Sequence, residues 1–260
     1  MIPDLPKEPT EELSPAQRKA FNAMRKLLTD VSEADRRYNG LEESKKGKVI
    51  STDIARHLDT RYANSPPKGK GRDLTPGWDL AWRYAQYRLD YELRRRGKRK
   101  ILRFMAGGWA AGKTFALNNE PSQPPDLIWD GTLNNPTWAA EMIDLALANG
   151  WKVEVVYVYR DLELALYGAI ERERKVGRGV PIAKLPRNHR SVQKSILDLT
   201  TLYREDEDVS SIYLHNLGTE DVQAGTPVVQ LIDLEVNGAL HYLDRHEQYY
   251  AGAAQKIAKA

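Results

Sequence analysis

The stretch Met105-Ala-Gly-Gly-Trp-Ala-Ala-Gly-Lys-Thr114 decides the fold of this chain. Gly107, four further residues and then Gly112-Lys113-Thr114 reproduce the whole P-loop pattern, GxxxxGK[ST]. Glycine at both ends of the loop allows a tight turn, and the backbone N–H groups then form a nest for phosphate oxygens. The predicted nucleotide-binding residues are Gly107, Gly108, Trp109, Ala110, Ala111, Gly112, Lys113 and Thr114.

The flanking sequence supports this interpretation. Residues 100–106 read as a short buried strand, and residues 114–118 can begin a helix, which gives the required order of strand, glycine-rich loop and helix. In such a loop the lysine contacts the β- and γ-phosphates of ATP, and the threonine hydroxyl is a ligand of Mg²⁺. We therefore predict these roles for Lys113 and Thr114.

Composition favours a protein that handles small anions. The chain has 260 residues, of which 41% are hydrophobic and 29% are charged, with a net charge of +3. The mildly basic balance suits nucleotide substrates without requiring nucleic acid. The absence of cysteine excludes a disulfide framework and a cysteine metal site. The N-terminus has no signal-peptide core and no apolar run approaches membrane-spanning length, so we expect a cytoplasmic protein.

Strand and helix patterns alternate along the chain. The predicted strands are 48–53, 100–106, 126–130, 152–159, 211–216 and 228–234, and the predicted helices are 15–37, 76–96, 136–149, 162–176, 186–203 and 238–257. This alternation predicts an α/β fold of the P-loop kinase type, a doubly wound parallel sheet flanked by helices. We expect an N-terminal arm and packing helix (1–45), a kinase domain (46–235) with a helical lid at about 162–203, and a C-terminal helix (236–260).

Two arginine-rich segments have competing interpretations. The run Arg94–Lys100 is the most basic in the chain, and we favour a solvated helix end with Gly97 as its C-cap over a nucleic-acid patch. The second segment holds Arg172, Arg174, Arg178, Arg187 and Arg190. It fits either a charged helix pair in solvent or a lid whose arginines neutralise a transferred phosphoryl group. The upstream P-loop favours the lid.

Two aspartates follow predicted strands. Asp130 ends one of them, where P-loop enzymes place an acidic group near Mg²⁺. Asp53 follows another, and either aspartate could serve as the catalytic base or as a metal partner. We favour Asp53 as the base over a residue that only caps a helix beginning at Ile54, and one aspartate could do both. Arg56, one turn later, would hold the Asp53 carboxylate ionised or bind an anionic substrate.

Together these pieces resemble the zeta-toxin family of P-loop kinases over roughly residues 48–216. The resemblance is carried by Ala106–Thr114, Leu127–Thr132, Trp151–Tyr159, Ile170–Arg172 and Arg178–Pro181. It implies a nucleoside-kinase-like α/β sandwich. It also implies an ATP- and Mg²⁺-dependent activity on small molecules; the best known is phosphorylation of a hydroxyl of a UDP-activated amino sugar, and relatives act on dinucleotides.

The resemblance also implies roles for individual residues. Lys113 would be catalytic and would bind ATP with Thr114, and Arg172 and Arg178 match the lid arginines. The Asp130-Gly-Thr132 segment matches the family's Glu-Gly-Thr, which lines the substrate site. In the family, the catalytic aspartate follows the P-loop. Here the similar stretch, Ile50–Arg56, precedes the loop, which indicates a permuted member with Asp53 as the base.

The sequence therefore predicts a phosphotransferase that acts on a hydroxyl of a nucleotide-like small molecule. The partners implied are that substrate and an antitoxin or inhibitory protein. Two alternatives stay open. One is a polynucleotide kinase, motivated by Arg94–Lys100. The other is a P-loop regulatory protein that binds nucleotide without transferring phosphate.

Overall fold

A computed structural model describes residues 2–9, 12–59, 77–119, 124–176, 180–216 and 222–224. The helices are α1 (Pro15–Thr29), α2 (Val31–Asn39), α3 (Thr52–Ala55), α4 (Trp78–Leu93), α5 (Lys113–Asn119), α6 (Pro136–Ala148), α7 (Leu162–Val176) and α8 (Leu185–Leu202). The strands are β1 (Val49–Ile50), β2 (Ile101–Ala106), β3 (Leu127–Asp130), β4 (Lys152–Arg160), β5 (Val209–Asn216) and β6 (Val222–Ala224). The predicted strand at 228–234 and helix at 238–257 lie outside the described residues.

The strands form one sheet in the order β1-β3-β2-β4-β5-β6. The first five strands are parallel, and β6 pairs antiparallel with β5. The predicted parallel sheet is therefore confirmed, with the P-loop strand β2 at its centre. Because all five parallel strands end at the same edge, the loops that follow them meet there.

Helices cover both faces of the sheet. Along β2, Met105 packs into the cluster that contains Phe21 and Met24 of α1, whereas Phe104 packs into the cluster that contains Val192 and Ile196 of α8. This alternation is the period of two expected for a strand buried on both faces. None of the helices in the described ranges is long and apolar enough to cross a bilayer.

The N-terminal region confirms one prediction and corrects another. Ser14 caps α1 in a capping box with Gln17. The single helix predicted to reach Arg37 is instead two helices, because the Asp30 carboxylate accepts the Glu33 N–H (3.0 Å) and starts α2. The buried side chains of Phe21 and Met24 support the packing role of α1.

The basic run lies at the opposite edge of the sheet from the P-loop. The run connects the end of α4 to the start of β2. Two of its arginines form ion pairs with acidic residues of α4, Arg94 with Asp90 and Arg95 with Glu92. The predicted C-cap is wrong, since the helix is capped by Arg94. Gly97 is needed for another reason, because a Cβ there would lie 2.6 Å from the ring of Trp151.

Candidate nucleotide-binding and catalytic site

The P-loop turns sharply out of the end of β2. Gly107 has φ +152° and Gly112 has φ +90°, in the region that favours glycine. A Cβ on Gly107 would lie 2.7 Å from the Val158 carbonyl oxygen, and one on Gly112 would collide with the side-chain amide of Asn216. The two glycines therefore let the loop lie directly against β4 and β5.

Every carbonyl group from position 107 to position 111 accepts a hydrogen bond from a side chain. The donors are Lys113 Nζ to Gly107 O (2.8 Å) and Gly108 O (3.3 Å), His189 Nε2 to Trp109 O (2.8 Å), Arg160 to Ala110 O (3.1 Å) and Asn216 Nδ2 to Ala111 O (2.9 Å). These bonds turn the negative ends of the peptide dipoles toward the protein. The first N–H groups of α5 have no acceptor within the helix, so the loop and helix start fit a phosphate group.

Trp109 ties the loop to the α7–α8 segment. The Trp109 N–H donates to Asn188 Oδ1 (2.8 Å), and the Trp109 carbonyl accepts a hydrogen bond from His189. Asn188 and His189 are consecutive residues of α8. The indole packs against a cluster formed by Leu162, Ala165, Ala169 and Leu185. This bulky residue of the P-loop is thus an anchor between the loop and the two helices. Sequence reasoning missed Asn188, His189, Arg160 and Asn216, because nothing local marks them.

His189 is held neutral by its surroundings. The ring is 4% exposed, and its burial lowers the pKa to about 4, against a weaker raising effect of the Trp109 carbonyl. A carbonyl can only accept, so Nε2 carries the proton. The side chain therefore acts as a fixed neutral donor to the P-loop at physiological pH.

This buried histidine predicts acid sensitivity. The unfolded chain takes up a proton at position 189 near pH 6.5, whereas the folded chain does so only near pH 4. The unfolded state binds more protons in this window, so the free energy of unfolding falls as pH drops from 6.5 to 4, by about 3 kcal/mol from this group. Urea unfolding at several pH values would measure the slope.

His189→Gln is the matched variant for that measurement. Its side-chain amide keeps an N–H donor for Trp109 but does not titrate. Carboxylates titrate equally in both proteins, so the difference between the two slopes belongs to His189. Identical slopes for wild type and variant between pH 6.5 and 4 would contradict the prediction.

Three charged residues meet beside the loop. Lys113 and Asp130 are both half-buried. Burial lowers the pKa of Lys113; the Asp130 carboxylate raises it, and the Arg172 guanidinium lowers it further. Burial also raises the pKa of Asp130, and Lys113 opposes this effect. The structure therefore brings together the P-loop lysine, the carboxylate that ends β3 and an arginine of α7, three residues singled out from sequence.

The Asp-Gly-Thr turn adjoins the start of the P-loop. The Thr132 carbonyl accepts a hydrogen bond from the Gly107 N–H (3.4 Å). The Thr132 hydroxyl donates to Asn134 (3.1 Å). Thr114 is exposed in the first turn of α5. In the described ranges no group of three or more His, Asp or Glu side chains is placed to hold a metal ion. Thr114 and Asp130 stay predicted ligands of Mg²⁺, an ion that keeps most of its waters and takes few protein ligands.

Asp53 lies at the same sheet edge, in the first turn of α3. It does not cap that helix, because the N-cap is Ser51, whose hydroxyl accepts the Asp53 N–H (3.2 Å). The Asp53 side chain is 41% exposed and lies 3.9 Å from Arg56. Arg56 is buried and its guanidinium lies 5.3 Å from the centre of the Trp78 ring. This placement favours Arg56 as a support for Asp53 over a direct substrate contact.

The predicted lid is only partly described. Helices α7 and α8 occur where the lid was expected, and Arg172 faces the P-loop lysine closely enough to lower its pKa. Arg187 and Arg190 are exposed. Arg178 and the side chain of Arg174 lie outside the described residues, so their roles stay predictions.

Comparison with protein families gives a match to part of the chain. The Zeta toxin family model matches residues 122–221, a segment that contains Asp130, Thr132 and Arg172 and begins after the P-loop. No curated protein matches the chain in sequence.

Two solved structures are similar to the chain. One is the AvrRxo1-ORF1:AvrRxo1-ORF2 complex with sulphate ions, at 12% identity and a TM-score of 0.44, covering 65% of this chain and 79% of that chain. The other is from the PezAT chromosomal toxin–antitoxin system of Streptococcus pneumoniae, at 13% identity and a TM-score of 0.35, covering 66% of this chain and 95% of that chain. The family match confirms, over residues 122–221, that this chain resembles the zeta toxins.

Proposed function

We propose that this protein is an ATP- and Mg²⁺-dependent kinase that phosphorylates a hydroxyl group of a nucleotide-like small molecule. The observation that carries the proposal is the P-loop itself, whose carbonyl groups all bond to the protein while Lys113, Asp130 and Arg172 gather beside it. The family match supports a kinase-like activity.

Each residue of the site would have a separate role in phosphate transfer. When bound, Mg²⁺-ATP supplies the phosphoryl group and much of the charge neutralisation. Lys113 and the N–H groups at the start of α5 would bind the phosphates, and Thr114 and Asp130 would hold the metal. Arg172 would meet the charge on the transferred group. The acceptor oxygen forms a bond to the γ-phosphorus, the bond to the ADP oxygen breaks, and the hydroxyl proton passes to Asp53.

The alternatives are less well supported. A polynucleotide kinase was motivated by Arg94–Lys100, but that run lies at the amino ends of the strands, across the sheet from the P-loop. A regulatory protein that only binds nucleotide would not need Asp53 and Arg172 at the same sheet edge as Lys113. Transfer is therefore the better account of these charges. A UDP-amino sugar and an antitoxin partner stay predictions from the family resemblance.

Incubation of the purified protein with ³²P-labelled ATP and a metabolite extract tests this function. We expect one or a few small labelled products, which mass spectrometry would identify, and a loss of that label with Lys113→Ala. Lys19→Ala, which removes an exposed lysine of α1, is the control and should leave the products unchanged. The proposal is wrong if wild type and Lys113→Ala give the same label, or if the label enters only nucleic acid.

A further inference from the structure

The hydroxyl of Tyr38 joins helix α2 to the edge strand β1. It donates to the Val49 carbonyl (2.9 Å) and accepts the Ser51 N–H (3.0 Å), and the Tyr38 side chain is fully buried. The Lys48 carbonyl accepts from Ile128 of β3. Because backbone groups alternate in direction along a strand, those of Val49 and Ser51 point away from β3. Tyr38 thus takes the place of a neighbouring strand where β1 ends.

The same contact controls the start of α3. Ser51, whose N–H is held by Tyr38, is the N-cap of α3, and its hydroxyl accepts the Asp53 N–H (3.2 Å). Two consecutive hydrogen bonds therefore connect the Tyr38 hydroxyl to the backbone of Asp53. A shift at Ser51 would move the Asp53 carboxylate with it.

A rigid cluster holds Tyr38 in place. The Arg88 guanidinium lies 4.7 Å from the centre of the Tyr38 ring and donates to Asp35 (2.9 Å). The Tyr84 ring meets the Tyr38 ring edge-on at 5.5 Å, and the Tyr84 hydroxyl also donates to Asp35 (2.7 Å). Charge, stacking and packing all fix one orientation of the phenol.

Burial keeps the phenol protonated, and the register of the sheet places it near the site. Burial raises the pKa of Tyr38, opposed by the Ser51 hydrogen bond and by Arg88 and reinforced by the Asp130 carboxylate. The hydroxyl therefore stays a neutral donor at any physiological pH. Ile50 pairs with Trp129 in the register of β1 with β3, so the end of β1 lies beside the residue that precedes Asp130.

We propose that Tyr38 is a positioning residue for Asp53, holding the β1–α3 junction so that this carboxylate meets the acceptor hydroxyl. This inference rests on the proposed function, in which Asp53 is the base. It gives the N-terminal helices a role in turnover in addition to their role in the core. Displacement of a catalytic group by about 1 Å can cost on the order of 100-fold in rate.

Tyr38→Phe and Tyr84→Phe form a matched pair for the test. Both remove one buried hydroxyl from the same cluster, but the Tyr38 hydroxyl bonds to the backbone of β1, whereas the Tyr84 hydroxyl bonds to Asp35 and Arg88. We expect Tyr38→Phe to lower the maximal rate of transfer from ³²P-labelled ATP into a fixed metabolite extract by about 10- to 100-fold. The KM for ATP should stay unchanged, and Tyr84→Phe should transfer at close to the wild-type rate.

Hydrogen exchange supplies a second readout that does not depend on activity. The amides of residues 51–55 should exchange faster in Tyr38→Phe and at the wild-type rate in Tyr84→Phe. Equal rates of transfer for Tyr38→Phe and wild type, or unchanged exchange at 51–55, would overturn the inference. A wild-type protein that labels nothing would instead defeat the proposed function, and the exchange comparison would still decide whether Tyr38 holds the Asp53 segment.

Discussion

Asp53→Asn is expected to lower the rate of phosphate transfer by about 10² to 10⁴, the usual contribution of a general base. Asparagine keeps the size of the side chain but cannot accept the hydroxyl proton. ATP affinity should change little, because Asp53 lies in α3 and the nucleotide loop follows β2. The fold should also be unaffected, since Ser51 rather than Asp53 caps the helix. Transfer from labelled ATP, with ATP binding measured separately by calorimetry, checks each part.

Two further substitutions make the result decisive. Asp130→Asn should weaken Mg²⁺ binding and so raise the Mg²⁺ concentration needed for half the maximal rate, because Asp130 is a predicted metal ligand. Asp126→Asn changes a carboxylate at the amino end of the same strand, keeps an acceptor for the Ile101 N–H (3.0 Å), and should leave transfer unchanged. If Asp53→Asn transfers at the wild-type rate while Asp130→Asn does not transfer at all, Asp130 is the base.

Glu154→Ala is expected to destabilise the fold by about 3–5 kcal/mol, because it removes the carboxylate that faces a buried guanidinium. Arg103 lies in the central strand β2 and is 2% exposed. Its Nε and one terminal nitrogen donate to the same Glu154 oxygen at 2.9 and 2.7 Å. The two residues are paired in the register of β2 with β4, so their side chains lie next to each other on the same face of the sheet. Urea unfolding would measure the loss.

Lys152→Ala is the matched control on the same strand. Lys152 pairs with Asp208 at 4.0 Å, and both side chains are more than a third exposed. An exposed pair of this kind contributes less than about 1 kcal/mol. Replacing the buried pair together, as Arg103→Met with Glu154→Leu, should restore most of the stability, because two apolar side chains then replace the whole ion pair. A cost for Glu154→Ala no larger than that for Lys152→Ala would show that the buried arginine is satisfied by other groups.

Sequence reasoning went furthest where the decisive interactions are local. The spacing of Gly107, Gly112 and Lys113 identified the loop, and a serine followed by Pro15, a proline suited to the first helical position, placed the first residue of α1. Helix α7 was predicted with its observed limits, Leu162–Val176. Caps, turns and hydrophobic periods are properties of a few neighbouring residues, so the chain itself reports them.

Elsewhere local patterns misled. The hydrophobic period continues across Asp30, so α1 and α2 were predicted as one helix. The Asp30 carboxylate instead accepts the Glu33 N–H, and this bond ends the first helix and starts the second. Gly97 looked like a helix cap and is instead a point of close approach to Trp151. In both cases a hydrogen bond or a packing contact outweighed the residue's usual preference.

The residues of the chain alone predict a phosphate-binding loop between a strand and a helix, in a parallel α/β sheet, and they indicate which carboxylates follow strands. The fold was needed to show that β1, which precedes the P-loop strand in the chain, pairs with β3 and so brings Asp53 to the same edge. The fold also shows that His189, Arg160 and Asn216 hold the loop, and that the Tyr38 hydroxyl bonds to the outer side of β1. These contacts join residues far apart in the chain, and they exist only because burial of the two faces of the sheet forces those segments together.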